Sequence, residues 1–202
     1  MREEVADNAS RTLRAKDLMP LAMFERERTR LQSEVRTQRE DRAVTMGPGA
    51  TLIFENEVTV RFRLQEILRH EAISGDAAVQ AEIDIYSSLI PDGSNFKATF
   101  RLEFADAGER SLRLAQLRGV ENYVWMQIEG LARVYAIADR DTDRGDADRD
   151  AALHYLRFEL DEAAVRRLKR GSPLSFGVDH RAYNARQLVG ENVRRALLQD
   201  LR

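Results

Sequence analysis

Three groups of side chains in this 202-residue sequence have the types and spacing that chemistry asks for. The first is Arg63, Glu66 and Arg69, followed by His70, in a stretch whose apolar residues recur at helical spacing. Steps of three and four residues place Arg63, Glu66 and His70 along one helix face. Such a set can hold an anion on its guanidiniums with Glu66 as base or ligand, or it can be a ladder of ordinary ion pairs worth about 0.3–0.5 kcal/mol each. The second is Pro91-Asp92-Gly93-Ser94-Asn95 ahead of Lys97. Its backbone N–H groups, the Asn95 amide and the Lys97 ammonium offer donors to an anion, and the same five residues are also a turn signal. The third is His154 and His180, each at the end of an apolar row at alternate positions, Leu156-Phe158-Leu160 and Leu174-Phe176-Val178. With Asp179 or Glu66 as carboxylate they have the donor set for iron, manganese or zinc. Taken separately they are imidazoles hydrogen-bonded at the edge of a core.

Other chemistries are excluded by what is missing. There is no cysteine, so disulfides, thiolate catalysis and iron–sulfur or cysteine–zinc ligation fall together. No Gly-x-Ser-x-Gly elbow, Walker spacing or Gly-x-Gly-x-x-Gly run occurs. Acids alternate through residues 139–150, but a calcium loop needs glycine at its sixth position and glutamate at its twelfth, where this chain has Arg144 and Asp150. A solvated loop is expected there. Glu66 is followed three residues later by Arg69 rather than histidine, so a rubrerythrin-type di-iron motif is absent. Basic and acidic residues number 32 and 34 and are interspersed, which leaves no basic patch for nucleic acid. Tyr86, Tyr123, Trp125 and Tyr135 are expected to pack in the core and sheet instead of stacking on bases. No stretch nears the roughly 20 apolar residues of a membrane span, and residues 1–10 lack a signal-like apolar run, so a cytoplasmic protein is expected.

These residues need elements to position them. Asp17 to Glu40, dense in Glu and Arg around Leu18, Leu21, Phe24 and Leu31, predicts one charged helix with Pro20 in its first turn. Met19, Met23 and Phe24 on it suit packing on the body or on a second copy, which leaves a homodimer open. Two strands or a single bent one are expected at Arg42–Met46 and Ala50–Glu55 around Gly47-Pro48-Gly49, and helices at Asn56–Ile73, capped by Asn56, and at Asp76–Leu89. Val58, Val60, Phe62 and Leu64 also alternate as a strand would, which leaves an extended first turn or two of the Asn56–Ile73 stretch open. Phe96, Ala98, Phe100, Leu102 and Phe104 alternate with Lys97, Thr99, Arg101 and Glu103, the pattern of a strand with one wet face. A short helix at Gly108–Arg118, a hairpin of Tyr123–Glu129 with Leu131–Ala138, strands at Ala152–Leu160 and Leu174–Val178, a helix at Asp161–Arg170 and a terminal helix at Glu191–Leu201 complete the reading. The alternating strands predict an α+β fold: a flexible segment over residues 1–16, then a single domain over 17–202. One mostly antiparallel sheet of about six strands carries helices on one face. If the two histidine strands are antiparallel neighbours, as the rest of the sheet suggests, both imidazoles can enter one pocket; if they are parallel, the two lie at opposite ends.

As a set, the segments Thr51-Leu-Ile-Phe-Glu55, Leu64-Gln-Glu-Ile-Leu-Arg69, Leu89-Ile-Pro-Asp-Gly93 with Asn95-Phe-Lys-Ala-Thr99, Val134-Tyr-Ala-Ile-Ala-Asp139, His154-Tyr-Leu-Arg-Phe-Glu-Leu160 and Gly177-Val-Asp-His180 resemble a bacterial family known as domain of unknown function 3501. The resemblance runs from about Asp17 to the C-terminus. It departs at His70, where the family usually has an apolar residue, and at Arg181, where it has proline. No activity comes with the resemblance. It implies redox company, since members are encoded beside rubrerythrin-like di-iron proteins and iron–sulfur oxidoreductase subunits. The function expected is a binding or accessory protein working with such redox partners, with Arg63, Glu66, Arg69, Asn95 and Lys97 as ligand-binding residues. The alternative is a small metal-dependent oxidoreductase or hydrolase built on His154, His180 and Asp179.

Overall fold

The computed structural model describes residues 13–104, 106–139 and 152–202. Of the segment 1–16, Leu13 to Lys16 fall within that range; Leu13 is buried and its N–H donates to Ser87 Oγ. After a 3₁₀ turn at Ala15–Asp17 comes helix α1 (Leu21–Glu40), with Pro20 standing one residue ahead as its N-cap. Strands β1 (Ala43–Thr45) and β2 (Ala50–Phe54) flank the Gly-Pro-Gly turn. Gly49 there has φ +81°, and a Cβ would stand 2.3 Å from the carbonyl oxygen of Glu103, so only glycine fits.

Helix α2 (Glu57–His70) starts as its sequence predicts. Asn56 Oδ1 accepts from the Thr59 N–H at 3.0 Å, and Thr59 Oγ1 accepts from the Asn56 N–H at 3.0 Å, a reciprocal cap. There follow α3 (Asp76–Ser87), β3 (Asn95–Leu102), α4 (Ala107–Gln116), β4 (Val124–Ile128), β5 (Val134–Tyr135) and β6 (Ile137–Asp139). The chain continues with β7 (Leu153–Glu159), α5 (Glu162–Lys169), β8 (Leu174–His180), β9 (Tyr183–Leu188) and α6 (Glu191–Leu198).

The α+β class and the antiparallel pairing stand: every strand pair among the described residues is antiparallel. The strands divide between two sheets, however, where one was expected. The first has the order β1-β2-β3-β7-β6 and the second β5-β4-β8-β9. Alternation tells that a strand has an apolar face but not whether a helix or another sheet covers it. The second arm of the expected hairpin splits at Ala136, with β5 paired to β4 and β6 paired to β7, so one run of chain crosses from one sheet to the other. Strand β9, mostly exposed along the edge, carries too little apolar pattern to be foreseen.

The inner faces of the two sheets meet in the main core. Phe54 and Phe158 of the first sheet lie 4.8 and 5.3 Å from Phe176 of the second, centroid to centroid. Burying each such ring contributes about 1.5–3 kcal/mol. Leu114 of α4, Val165 and Leu168 of α5 and Leu197 of α6 join the same core. A smaller apolar cluster joins Val60 and Leu64 of α2, Ile83 of α3, Leu89 and Ile90, with Tyr86 and Tyr155 packed against it. Because Tyr155 comes from β7, α2 and α3 cover the outer face of the five-stranded sheet. That face, expected to be wet, is therefore partly roofed: Thr99 is buried, Lys97 half-buried and Arg101 exposed. Among the described residues no helix is long and apolar enough to cross a membrane.

Candidate functional site

Glu55 follows β2, and its N–H donates to the Lys97 carbonyl at 2.8 Å, carrying the β2–β3 ladder one residue further. Strand alternation sets it with Thr51 and Ile53 on the outer face, directly beneath α2. The side chain has no solvent exposure at all. Its Oε2 accepts from the Thr59 hydroxyl at 2.5 Å, and its Oε1 accepts from the Thr99 hydroxyl at 2.6 Å and from Arg63 Nη2 at 2.6 Å. Burial by itself would raise the carboxyl. Arg63, the two threonine hydroxyls and nearby Arg39 overcome it and hold Glu55 below the usual carboxylate range. A carboxylate so fixed in its ionised form, with both oxygens occupied, is a counter-charge and not a base for proton transfer.

Arg63, about two turns into α2, also gives Nη2 to Thr99 Oγ1 at 3.2 Å, and its guanidinium carbon stands 5.3 Å from the centre of the Tyr155 ring. Its Nη1 is buried and has no hydrogen-bond partner. Arg39, in the last turn of α1, is half-buried and makes no side-chain hydrogen bond or ion pair among the described residues. Burial draws its guanidinium down from the ordinary value; the like charges of Arg63 and Arg101 add to this, and Glu55 opposes it. Arg101 shares the Thr99 face of β3 and pairs outward with Glu103 at 3.3 Å. Arg63 thus binds the buried carboxylate directly, with Arg39 and Arg101 within electrostatic reach of one another nearby, and Arg63 keeps one buried donor without a partner among the described residues.

Beyond Tyr155 the same face opens into a cavity of about 500 Å³ whose lining includes Ser88, Lys97, Ile137, Asp139, Tyr155 and Arg157. Lys97 and Arg157 are register partners on adjacent strands. Lys97 Nζ donates to the Ser88 carbonyl at 2.5 Å. Burial holds its ammonium below the ordinary value, Arg157 adds to that, and Asp92 opposes it.

The expected site residues part company in the fold. Arg63 turns to the sheet, whereas Glu66, three residues on, turns to α1: its Oε1 accepts from Arg28 Nε at 2.6 Å, and its Oε2 accepts from Arg28 Nη2 and Arg69 Nη2, each at 3.1 Å. Those bonds, Arg28 first, keep Glu66 below the ordinary carboxylate value and tie α2 to α1. Asn95 closes its turn, with its amide donating to Asp92 Oδ2 at 2.7 Å and its Oδ1 accepting from the Asp92 N–H at 3.2 Å. Lys97 does reach the roofed face that Arg63 occupies.

His154 and His180 stand on strands of different sheets, so neither the parallel nor the antiparallel neighbour arrangement applies. His154 stacks on Phe100 at 6.2 Å with its Nε2 buried and unpartnered. His180 meets Tyr123 edge-on at 5.2 Å, and its Nδ1 accepts from the Ala182 N–H at 3.2 Å. Asp179 pairs with Arg133. Among the described residues no group of three or more histidines and carboxylates is placed to hold a metal ion. The acidic stretch weighed as a calcium loop lies, after Asp139, outside the described residues.

Glu55, Arg39 and Tyr155 were not anticipated as site residues. The one available signal was Glu55 itself, an acid extending the Thr51-Ile53 face of a strand and followed by a helix cap.

The sequence model of a family described as "Protein of unknown function (DUF3501)" matches residues 12–201. A crystal structure described as a novel protein of unknown function from Burkholderia pseudomallei K96243 is similar at 37% identity with a TM-score of 0.86, over 95% of this chain and 100% of that one. No curated protein matches.

Proposed function

The chain belongs to the family of unknown function DUF3501, and on that footing we propose that it is a binding module whose ligand carries an oxyanion, a carboxylate or phosphate, held at Arg39, Arg63 and Arg101. The observation that carries this reading is the buried Nη1 of Arg63, which has no hydrogen-bond partner among the described residues; the half-buried Arg39 guanidinium, within electrostatic reach of Arg63 and Arg101, adds a second cation. Leaving a buried donor unsatisfied costs about 1–3 kcal/mol, and gathering like charges adds to that cost. An oxyanion on Arg63 Nη1 supplies the missing acceptor and offsets the neighbouring like charge, and guanidinium forks suit planar or tetrahedral oxyanions. The side chains at the site include no activated nucleophile, and Glu55 is locked as a counter-ion, so binding without turnover is the consistent role.

Calorimetric titration at low ionic strength with acetate and with inorganic phosphate tests this, using the wild-type chain and Arg39→Met. Saturable binding of at least one oxyanion is expected, weakened about tenfold or more in the variant by loss of a charged hydrogen bond. Absence of saturable binding by either anion, or affinity unchanged in Arg39→Met, overturns the reading.

A further inference from the structure

Two cationic stations lie on the outer face of the five-stranded sheet, and one residue joins them. The first is the arginine cluster just described. The second is the Lys97–Arg157 pair, directly opposite each other on β3 and β7. Like charges in that position oppose sheet formation unless acids or a ligand offset them. Arg157 is partly offset by Glu159 on its own strand, at 2.8 Å, and Asp139 also borders the cavity. Lys97 donates to the neutral Ser88 carbonyl, and the carboxylates of Asp92, Glu159 and Asp139 also act on its charge. Tyr155 both lines the cavity and carries the Arg63 guanidinium over its ring, so cavity and cluster share a wall.

Register gives the spacing. Lys97 pairs with Arg157 and Thr99 with Tyr155, so the row beneath Arg63 is two residues along the strand from the row at Lys97, about 7 Å at 3.3 Å per residue. We propose that the ligand of this module is a two-headed acid, with one oxyanion on the arginine cluster and a second in the cavity on Lys97 and Arg157, joined by a short apolar spacer lying past Tyr155. This rests on the oxyanion reading above and extends it to a class of molecule: linear dicarboxylates and acids of similar reach. The cavity has the room, and Leu89 and Ile137 give its lining the apolar surface that a methylene spacer needs.

The test is a chain-length series. Acetate, oxalate, succinate, adipate and suberate are titrated calorimetrically at low ionic strength into the wild-type chain, Lys97→Met and Arg157→Met, with circular dichroism confirming that each variant is folded. Tethering makes the second contact intramolecular, so affinity is expected to peak at an intermediate length, about tenfold or more above acetate. In Lys97→Met the length preference is lost and the diacids bind no tighter than acetate does to the same variant, and Arg157→Met gives a second, independent reduction of the peak. Diacids that bind no tighter than acetate, or a length preference that persists in both variants, overturn the two-headed ligand and leave the single-oxyanion module standing. No binding of acetate or of any diacid overturns both.

Discussion

Replacing Glu55 by glutamine tests the electrostatic centre of the site with the smallest change of shape. The wild-type carboxylate is wholly buried and serves three donors, Thr59 Oγ1, Thr99 Oγ1 and Arg63 Nη2, at 2.5–2.6 Å. Glutamine keeps one acceptor oxygen and puts an NH₂ donor where the other stood. At least one of the three donors then faces a donor, and the Arg63 cation, whose side chain is only 18% exposed, loses its counter-charge. Breaking a buried pair from one side costs about 3–5 kcal/mol. At about 2–4 °C per kcal/mol for a chain of this size, the melting temperature falls by about 6–20 °C. Urea unfolding followed by circular dichroism measures it as a lower midpoint at unchanged slope. The double variant Glu55→Gln/Arg63→Met should be less destabilised than Glu55→Gln alone, because the stranded cation is then gone. A loss below about 1 kcal/mol in the single variant, or strict additivity in the double, would refute the assignment of Glu55 as the buried counter-charge of Arg63. The pH dependence has a definite sign. Glu55 is held below the carboxylate value of an unfolded chain, so its contribution is present in full above about pH 4.3 and is lost as pH falls through the lower native value. Acid unfolding of Glu55→Gln should accordingly take up about one proton fewer than that of the wild type.

Arg42→Met should cost about 3–5 kcal/mol, since the buried Arg42 guanidinium donates to the carbonyls of Phe54, Glu55 and Ala196 and pairs with Asp200; loss of the melting transition at an elevated temperature reads it out. Gly177→Ala should destabilise by about 1–3 kcal/mol or more, because a Cβ there stands 2.2 Å from Trp125 Cζ2 and 2.6 Å from the Ala185 carbonyl oxygen. Trp125 is the sole tryptophan, so its fluorescence reports the displaced ring directly. Arg39→Met, in contrast, should leave stability within about 0.5 kcal/mol of wild type in urea unfolding, since its guanidinium holds no partner to lose.

Local periodicity made the elements legible. The spacing of Val60, Leu64, Ile67 and Leu68 located α2, Asn56 marked its cap, and the alternation from Phe96 to Phe104 marked β3. What it left out is contact over distance. The Arg42–Asp200 pair spans 158 positions and no period relates them. Arg63 was singled out by its helical neighbours, yet its partner is Glu55, one element earlier, because α2 lies across the strand that precedes it. The same roofing explains Thr99: a strand reads as half-wet when its second face carries Thr and Arg, and only a helix laid on that face converts the threonine into a buried donor. Dividing the strands between two sheets was beyond the pattern for a related reason, since a row of Phe and Leu packs as well on a sheet as on a helix.

The passage of one strand from sheet to sheet at Ala136 has a mechanical consequence. One wall of the cavity is β6, which among the described residues pairs with β7 through Ile137, Ala138 and Asp139. Detaching these three residues from β7 leaves intact the β3–β7 register and, on the other side of Ala136, the β4–β5 pairs. The cavity can therefore be opened along this seam at the edge of the main core, where only Ala138 of the three described β6 residues packs against it. In hydrogen exchange, the amides that bond β6 to β7 should open at a free energy well below that of the whole molecule, with the pivot set where the two sheets are joined by a single peptide run.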